Sequence, residues 1–334
     1  MTLPDGYRFV VYPARSHIAA LMQKTWARPC WLYDEDLLRY HIDRPTGDLD
    51  LAVGVEHRDT GELVSFYALM PRLVHWEGRP TRSVFGSFLT AAAAVRGRGI
   101  ARALQVRLLA EAQAKGYELY LAMCEVDNTS NASIAASCSE LGLSSFVVNT
   151  FKYLAQPGGM VATQIAEKSA ATRPFDLSCD RKDVESLWAS RAELCLHHRI
   201  VPSDYDSRYG ATQARNFVFE VDGKIAGFIH CLLLSVVDND RSYRNIYFQD
   251  VEPGTLSEGQ QLQFLRDVLY ELYSCDRYDL AFVPNTGYAP ESLFRRCFFR
   301  TAARTLNLRL TRLTPSTRAA EAPAPIESFC LDVF

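Results

Sequence analysis

Residues 91–105 read AAAAVRGRGIARALQ, and the rest of the chain can be interpreted outward from this stretch. A β-type run, TRSVFGSFLT (81–90), ends directly before it, and apolar residues recur at every fourth position from Ile100 to Ala112. A strand therefore leads through alanines and the turn Arg96–Gly99 into a helix. A helix start leaves about four backbone N–H groups without partners and carries partial positive charge. Glycine before it removes side-chain bulk, so a phosphate can reach those groups.

Two other phosphate-binding motifs do not fit this stretch. A nucleotide-binding P-loop ends in Gly-Lys-Ser or Gly-Lys-Thr, which the turn lacks. A dinucleotide-binding fingerprint lies inside a parallel β-α-β unit, whereas the turn EGRP (77–80) predicts that the strand before these glycines belongs to an antiparallel hairpin. The context excludes both alternatives, and the charges of Arg96 and Arg98 favour a pyrophosphate ligand.

The composition is that of an ordinary globular protein. Of 334 residues, 48% are hydrophobic and 22% are charged, and a net charge of −3 gives no general attraction to nucleic acid or anionic membranes. The N-terminus lacks a signal-peptide pattern, and no stretch reaches the roughly 20 apolar residues of a membrane span. Nine cysteines without a Cys-x-x-Cys motif indicate reduced thiols. We expect a cytoplasmic protein, monomeric or homodimeric, with no nucleic-acid or membrane partner and no metal.

Apolar periodicity predicts an α/β fold with a mixed sheet, in which one order of elements occurs twice. The first half combines an antiparallel meander with the helix after Gly99, a strand at 118–123 and a helix at 130–142. A hairpin around Asp222-Gly223 opens a similar order in the second half, which ends in a strand at 305–310. The chain length also favours two domains. The predicted segments are a domain at 1–155, a linker at 156–171, a domain at 172–312 and a loosely packed C-terminal tail at 313–334.

Two motifs in the first half resemble those of the GNAT superfamily of acyl-CoA-dependent N-acyltransferases. Arg96-Gly97-Arg98-Gly99-Ile100-Ala101 matches the family signature R-x-x-G-x-[GA], between the strand and the helix where the family has it. The segment NASIAASCSELGL (131–143) is similar to the family's N-x-x-A-I-x-x-Y-x-x-x-G-F helix, with the asparagine and the glycine in register. The resemblance covers residues 7–153 well and residues 172–312 by element order. It implies two GNAT-like domains in tandem.

The resemblance also implies a coenzyme A site in the first half. The pyrophosphate would be held by the amides of Arg96, Gly97, Arg98, Gly99, Ile100 and Ala101. In this family two strands part, and the pantetheine arm pairs with the free backbone of the first of them. Those positions are Leu89, Thr90 and Ala91 in this chain. Asn131 would either bind the pantetheine arm or serve only as a helix N-cap.

Acyl transfer from a thioester requires a neutral amine, a donor to the oxyanion and a proton for the leaving thiolate. The resemblance implies a backbone amide near Leu89–Ala91 as the oxyanion donor and a helix tyrosine as the acid. Cys138 stands at that tyrosine's position, so its thiol is either the acid or an ordinary core residue. The strand at 81–90 carries no carboxylate. Glu125 is therefore the first candidate base and Asp127 the second, unless both belong to a solvated loop.

The second half lacks these binding features. Its segment VEPGTLSEG (251–259) corresponds to the phosphate loop, and Glu252 and Glu258 there would repel a pyrophosphate. Phe294, which has no acidic proton, stands at the tyrosine's position. We therefore interpret the second half as a degenerate copy.

Together these features predict an N-acetyltransferase that uses acetyl-CoA, or another acyl-CoA, to acylate a small-molecule amine, an amino acid or a peptide-like metabolite in a ternary complex. One alternative is a transferase whose donor has a longer acyl chain or is bound to a carrier protein. Another alternative is a non-catalytic acyl-CoA sensor, which the missing carboxylate and tyrosine favour. The sequence leaves the identity of the acceptor open.

Overall fold

The structure, a computed structural model, describes residues 2–165, 168–189, 196–199, 201–314 and 322–331. Parts of the predicted linker (166–167) and of the predicted tail (315–321 and 332–334) lie outside these ranges. No helix within the ranges combines the length and the apolar composition that crossing a membrane requires.

The first half of the chain contains seven strands and four helices among its described residues. Its strands are β1 (Tyr7–Val11), β2 (Cys30–Trp31), β3 (Ala52–His57), β4 (Leu63–Trp76), β5 (Arg79–Ala91), β6 (Leu119–Glu125) and β7 (Ser145–Pro157). Its helices are α1 (Arg15–Thr25), α2 (Glu35–Ile42), α3 (Ile100–Ala114) and α4 (Ser130–Glu140). The predicted helix after Gly99 and the predicted meander before it are confirmed.

The second half repeats this order with additional short elements. Its strands are β8 (Thr172–Pro174), β9 (Leu196–Arg199), β10 (Ala214–Val221), β11 (Lys224–Asp238), β12 (Arg241–Glu252), β13 (Leu280–Pro284), β14 (Arg300–Arg312) and β15 (Phe329–Cys330). Its helices are α5 (Arg181–Ala189), α6 (Tyr205–Tyr209), α7 (Glu258–Asp276) and α8 (Glu291–Arg295). The elements that the sequence did not predict, such as β9 and β15, are short.

The strands form one mixed sheet in the order β1-β3-β4-β5-β6-β14-β7-β13-β12-β11-β10-β8. In each half an antiparallel meander leads into one parallel pair, which is β5 with β6 in the first half and β12 with β13 in the second. The predicted mixed α/β fold with a repeated element order is therefore confirmed. α3 covers one face of the first half, where Ile100, Leu104 and Leu108 are at most 1% exposed.

The two halves exchange their last strands. β14, the last long strand of the second half, lies between β6 and β7 of the first half. β7 in turn pairs with β13 of the second half through Tyr153–Pro157. The predicted domain boundary at residue 155 falls within this paired segment. The division into domains at 1–155 and 172–312 stays a prediction, and the exchanged strands join the two regions in one sheet.

The segment after β14 is firmly packed where the structure describes it, so the expectation of a loosely packed tail is wrong for those residues. Its buried side chains are Leu313, Ile326, Phe329, Cys330 and Leu331. The side chain of Asn149 in β7 donates a hydrogen bond to the carbonyl of Ile326 (2.5 Å), and the amide of Phe329 donates to the carbonyl of Thr286 (3.1 Å). Prolines favour a loose surface segment, whereas the apolar residues that follow the last of them, Pro325, fill space beside β7 and β13.

We expect the exchanged strands to make the chain unfold as one cooperative unit. Leu308, in the middle of β14 of the second half, is fully buried between β6 and β7 of the first half. Leu308→Ala should therefore lower the free energy of unfolding by about 2–5 kcal/mol and shift a single transition. Val147→Ala in β7, whose residue is 46% exposed, is the control and should change it by less than about 0.5 kcal/mol. Chemical denaturation followed by fluorescence measures both. Two separate transitions, of which only one shifts, would contradict this expectation.

Candidate functional site

β5 and β6 pair only over the first part of their length and then separate into a fork. Their parallel register runs from Ser83 opposite Leu119 to Gly86 opposite Ala122. Beyond that pair, β5 keeps its partner β4 and β6 keeps its partner β14, on the outer sides of the fork. Within the described part of the chain, the inner backbone edge of β5 after Gly86 has no paired strand. Leu89, Thr90 and Ala91 lie on this edge, where the sequence predicted contacts with a pantetheine arm.

A β-bulge lies two residues beyond the fork. The register of β4 with β5 shifts between Phe66, opposite Thr90, and Ala68, opposite Ser87. Phe88 adopts a φ of +66°, which is unusual for a residue with a side chain. The hydroxyl of Thr90 donates to the carbonyl of Phe88 (3.0 Å) and accepts from the indole N–H of Trp26 (2.7 Å). Thr90 therefore supports the bulge, which reorients the backbone of β5 at the fork.

The turn into α3 presents backbone amides to solvent. Gly97 and Gly99 have φ values of +77° and +76°, and a Cβ atom at either position would meet open space. Gly99 is the N-cap of α3, and no side chain caps the helix there among the described residues. Five backbone N–H groups in this region have no hydrogen-bond acceptor among the described residues: those of Gly97, Gly99, Ile100, Ala101 and Arg102. These donors, at the positive end of the helix dipole, form an anion-binding surface.

Arginine side chains flank these amides. Arg96 and Arg98 are both exposed. Arg96 makes two weak hydrogen bonds to backbone carbonyls, those of Ala91 (3.3 Å) and Thr25 (3.5 Å), and Arg98 forms no ion pair within the described ranges. Arg102, in contrast, forms an ion pair with Glu140 of α4 (2.9 Å). Arg96 and Arg98 therefore remain available to a negatively charged ligand.

Asn131 lies in the first turn of α4 and is not its N-cap, which is Thr129. Its amide nitrogen donates to the carbonyl of Glu125 (2.6 Å) and so ties the end of β6 to α4. Its side-chain oxygen is buried and has no donor among the residues that the structure describes. The N-cap interpretation is wrong, and the predicted contact of Asn131 with a ligand stays a prediction.

Cys138 is fully buried between α4 and the sheet. Its sulfur lies 3.6 Å from the hydroxyl of Thr311 in β14. Burial raises the pKa of the thiol, and the contact with Thr311 opposes this rise only in part. A thiol in this position stays protonated but is shielded from solvent, which supports the core interpretation over the role of general acid.

Glu125 is the last residue of β6 and lies at the open end of the fork. Its carboxylate forms an ion pair with Arg304 of β14 (3.1 Å), and both side chains are about half exposed. Asp127 follows in the exposed loop before α4. Glu125 is thus near the predicted site but already has a cationic partner, and its role as a base stays a prediction.

The second half has a fork and a bulge at corresponding places, but both are filled. Parallel pairing of β12 with β13 ends at Tyr247 opposite Phe282, and the register shift against β11 falls at Gln249, two residues on. Tyr247 thus stands where the first half has Gly86. The hydroxyl of Tyr40, from α2, donates to the side-chain oxygen of Gln249 (2.9 Å). A side chain of the first half, Tyr40, therefore packs at the bulge of the second half.

The C-terminal segment covers the second fork. A small cavity there is lined by residues of β12, of β13 and of the segment itself, including Phe248, Gln249, Val283, Phe329 and Leu331. Behind it, one group of possible metal ligands occurs among the described residues, formed by His198, Asp250 and Cys330. The Asp250 carboxylate already pairs with the buried guanidinium of Arg208 (2.5 Å), which supplies positive charge at this place.

In the second half, α7 corresponds to α3, and side chains cap its N-terminus. Ser257 and Gln260 form a capping box at the start of α7, in which each side chain bonds to the backbone of the other residue. Glu258 in the first turn further opposes an anionic ligand and forms an ion pair with Arg296 (2.6 Å). This contrast with the uncapped Gly99 supports the interpretation of the second half as the degenerate copy.

The class of the fold follows from this repeated architecture. Two units, each with a meander, a parallel pair, a fork, a bulge and a helix after it, define a tandem GNAT fold, as the sequence predicted. Comparison with models of known protein families gives no match, and no curated protein matches the sequence.

Solved structures of N-myristoyltransferase from Saccharomyces cerevisiae are similar to this chain. Two of them, with bound myristoyl-CoA, superpose with TM-scores of 0.78 and 0.77 at 14% identity, over 93% of this chain and 80% or 84% of the other. A third, with myristoyl-CoA and inhibitors, has a TM-score of 0.77 at 14% identity, over 98% of this chain and 86% of the other. At this level of identity, the similarity establishes the fold.

No sequence pattern predicts the bulge at Phe88. The resemblance implies an oxyanion donor near Leu89–Ala91, directly after this residue, and that donor stays a prediction. The serine-phenylalanine-leucine run gives no local signal for a bulge, because the register shift depends on pairing with β4. His75 of β4 pairs with Pro80 at the other end of the hairpin, far from the fork.

The location of Cys138 generates a test of its role. Cys138→Ala should lower the free energy of unfolding by about 1 kcal/mol, because it removes a fully buried side-chain group. Because the thiol is shielded, we expect the acyl-transfer rate at saturating substrate to change less than twofold. Thermal unfolding and a thiol-release assay measure the two effects. A tenfold or greater loss of rate with unchanged stability would instead support the acid role.

Proposed function

We propose that this protein is an acyl-CoA-dependent N-acyltransferase whose donor site is formed by the first half. The observation that supports this most is the uncapped start of α3 beside the open fork of β5 and β6. Five backbone donors and two available arginines suit a diphosphate, and the free edge of β5 suits the amides of a pantetheine arm. The second half offers neither feature.

The chemistry assigned to this site is direct attack of an amine on the thioester. A diphosphate held at Gly97–Ala101 would leave the pantetheine arm in the fork and bring the thioester near the bulge at Phe88. A reoriented amide in the Phe88–Ala91 segment would then donate a hydrogen bond to the oxyanion, which is the largest single contribution in most acyl transfers. The amine loses a proton and the coenzyme thiolate gains one, so the net reaction consumes no external acid or base.

The acyl chain of the donor is the open part of this proposal. The sequence suggested acetyl-CoA, whereas the similar solved structures contain myristoyl-CoA. Phe88 and Leu121, on the two strands of the fork, belong to one apolar cluster against which Met123 packs. This apolar lining is compatible with a longer chain, and we therefore place longer acyl-CoA donors ahead of acetyl-CoA.

The acceptor amine would approach from the face of the sheet opposite α3. Met123 follows the last paired residue of β6 and lines a cavity that the second half and the C-terminal segment complete. This cavity has a volume of about 30 Å³, roughly the space of one water molecule, so an acceptor must displace side chains there. The second half would thus form one wall of the acceptor site. Small amines and peptides, tested in parallel, distinguish the possible classes of acceptor.

The first experiment measures thiol release from acetyl-, octanoyl- and myristoyl-CoA in the presence of pooled small amines or of peptides with free N-termini. We expect turnover with at least one donor, and faster turnover with the longer donors. Tight binding of every donor without turnover would leave the acyl-CoA sensor as the remaining function. Faster turnover with acetyl-CoA would restore the donor that the sequence suggested.

Charge reversal tests the location of the donor site. Arg98→Glu places a negative charge beside the amides of α3 and should weaken coenzyme A binding at least tenfold, because it replaces attraction to the phosphates with repulsion. Arg296→Glu, beside the start of α7, is the control and should leave the affinity within twofold. Isothermal titration calorimetry measures both. The opposite pattern, a loss only in the second variant, would move the site to the second half.

A further inference from the structure

Gln105 is a buried polar residue on α3, in a position where the helix is otherwise packed with apolar side chains. It is 1% exposed, and its neighbours Leu104, Leu108 and Leu109 belong to the core. Its side-chain oxygen accepts hydrogen bonds from two hydroxyls of α4, those of Ser133 (2.6 Å) and Ser137 (3.0 Å). The two serines fix the orientation of the amide group between the helices.

The other end of this amide group is not satisfied by the protein. The nitrogen of Gln105 has no acceptor among the residues that the structure describes. If the amide were turned around, its nitrogen would donate to the two serines and its oxygen would be left instead. In either orientation one buried polar atom lacks a partner, which costs free energy unless a ligand or a water molecule supplies one.

The location of Gln105 indicates what this ligand is. Gln105 lies four residues, about 6 Å or slightly more than one helical turn, beyond Ala101, whose amide belongs to the uncapped start of α3. Side chains of a helix are directed toward its N-terminus, so Gln105 is directed toward that end. Ser133, which holds Gln105, is two residues from Asn131, whose buried side-chain oxygen also lacks a partner.

We infer that Gln105 binds the pantetheine arm of the acyl-CoA, by a hydrogen bond to one of its amide groups. This inference rests on the proposed function and adds a binding residue on α3. An amide presents both a carbonyl and an N–H, so it can satisfy Gln105 and Asn131, which offer a donor and an acceptor. The phosphates lie at the start of the helix, and the ligand group that reaches one turn deeper is therefore the neutral arm.

The test compares coenzyme A with a fragment that lacks the arm, 3′-phosphoadenosine 5′-diphosphate. Gln105→Met keeps the volume of the side chain and removes its hydrogen-bonding groups. We expect the variant to bind coenzyme A threefold to tenfold more weakly and the fragment with unchanged affinity, which corresponds to the loss of one hydrogen bond. Gln105→Leu serves as a second variant if the first does not fold, and calorimetry on the full chain measures each affinity.

Gln113→Leu is the matched control on the same helix, since its amide donates to the backbone of Leu313 (2.8 Å) two turns further on. It should leave both affinities unchanged. Equal losses for coenzyme A and the fragment, or no loss for either, would overturn the inference and assign Gln105 to a structural water. If the unaltered protein binds neither ligand, the proposed function itself fails, and the assignment of Gln105 fails with it.

Discussion

The architecture of the first half depends on the unsatisfied hydrogen-bond donors at the start of α3. Backbone amides that face solvent here can donate to water or to a ligand, and they stay accessible because Gly97 and Gly99 hold the turn open at positive φ. The same amides, together with Arg96 and Arg98, are the strongest candidates for binding a diphosphate. The bulge at Phe88 and the fork beyond Gly86 give such a ligand a place to extend its arm.

The second half shows how the same framework loses that capacity. Its helix begins with the capping box of Ser257 and Gln260, so the side chain of Ser257 already accepts from the amide of Gln260, and Glu258 adds negative charge beside it. Its fork has Tyr247 in place of Gly86, and Tyr40 and the C-terminal segment fill the space around it. The exchanged strands β7 and β14 join this second unit to the first in one sheet.

Local features of the chain could be predicted from the sequence, and long-range pairings could not. The turn at Gly97 and Gly99 and the helix after it follow from residue types within a few positions of each other. The exchange of β7 and β14 joins residues that are about 150 positions apart, and no local pattern encodes it. The burial of Cys138, the bulge at Phe88 and the packing of Phe329 likewise depend on partners in other strands. The sequence also allowed Asn131 to be the N-cap of α4, but the cap is Thr129, and the contact of Asn131 with a ligand stays a prediction.

A crystal structure of the protein with a bound acyl-CoA tests the central claim most directly. We expect the diphosphate within hydrogen-bonding distance of the amides from Gly97 to Arg102, and the pantetheine arm in the fork between β5 and β6, with the start of α7 unoccupied. A coenzyme bound at the start of α7, or bound elsewhere while the first fork stays empty, would contradict the claim.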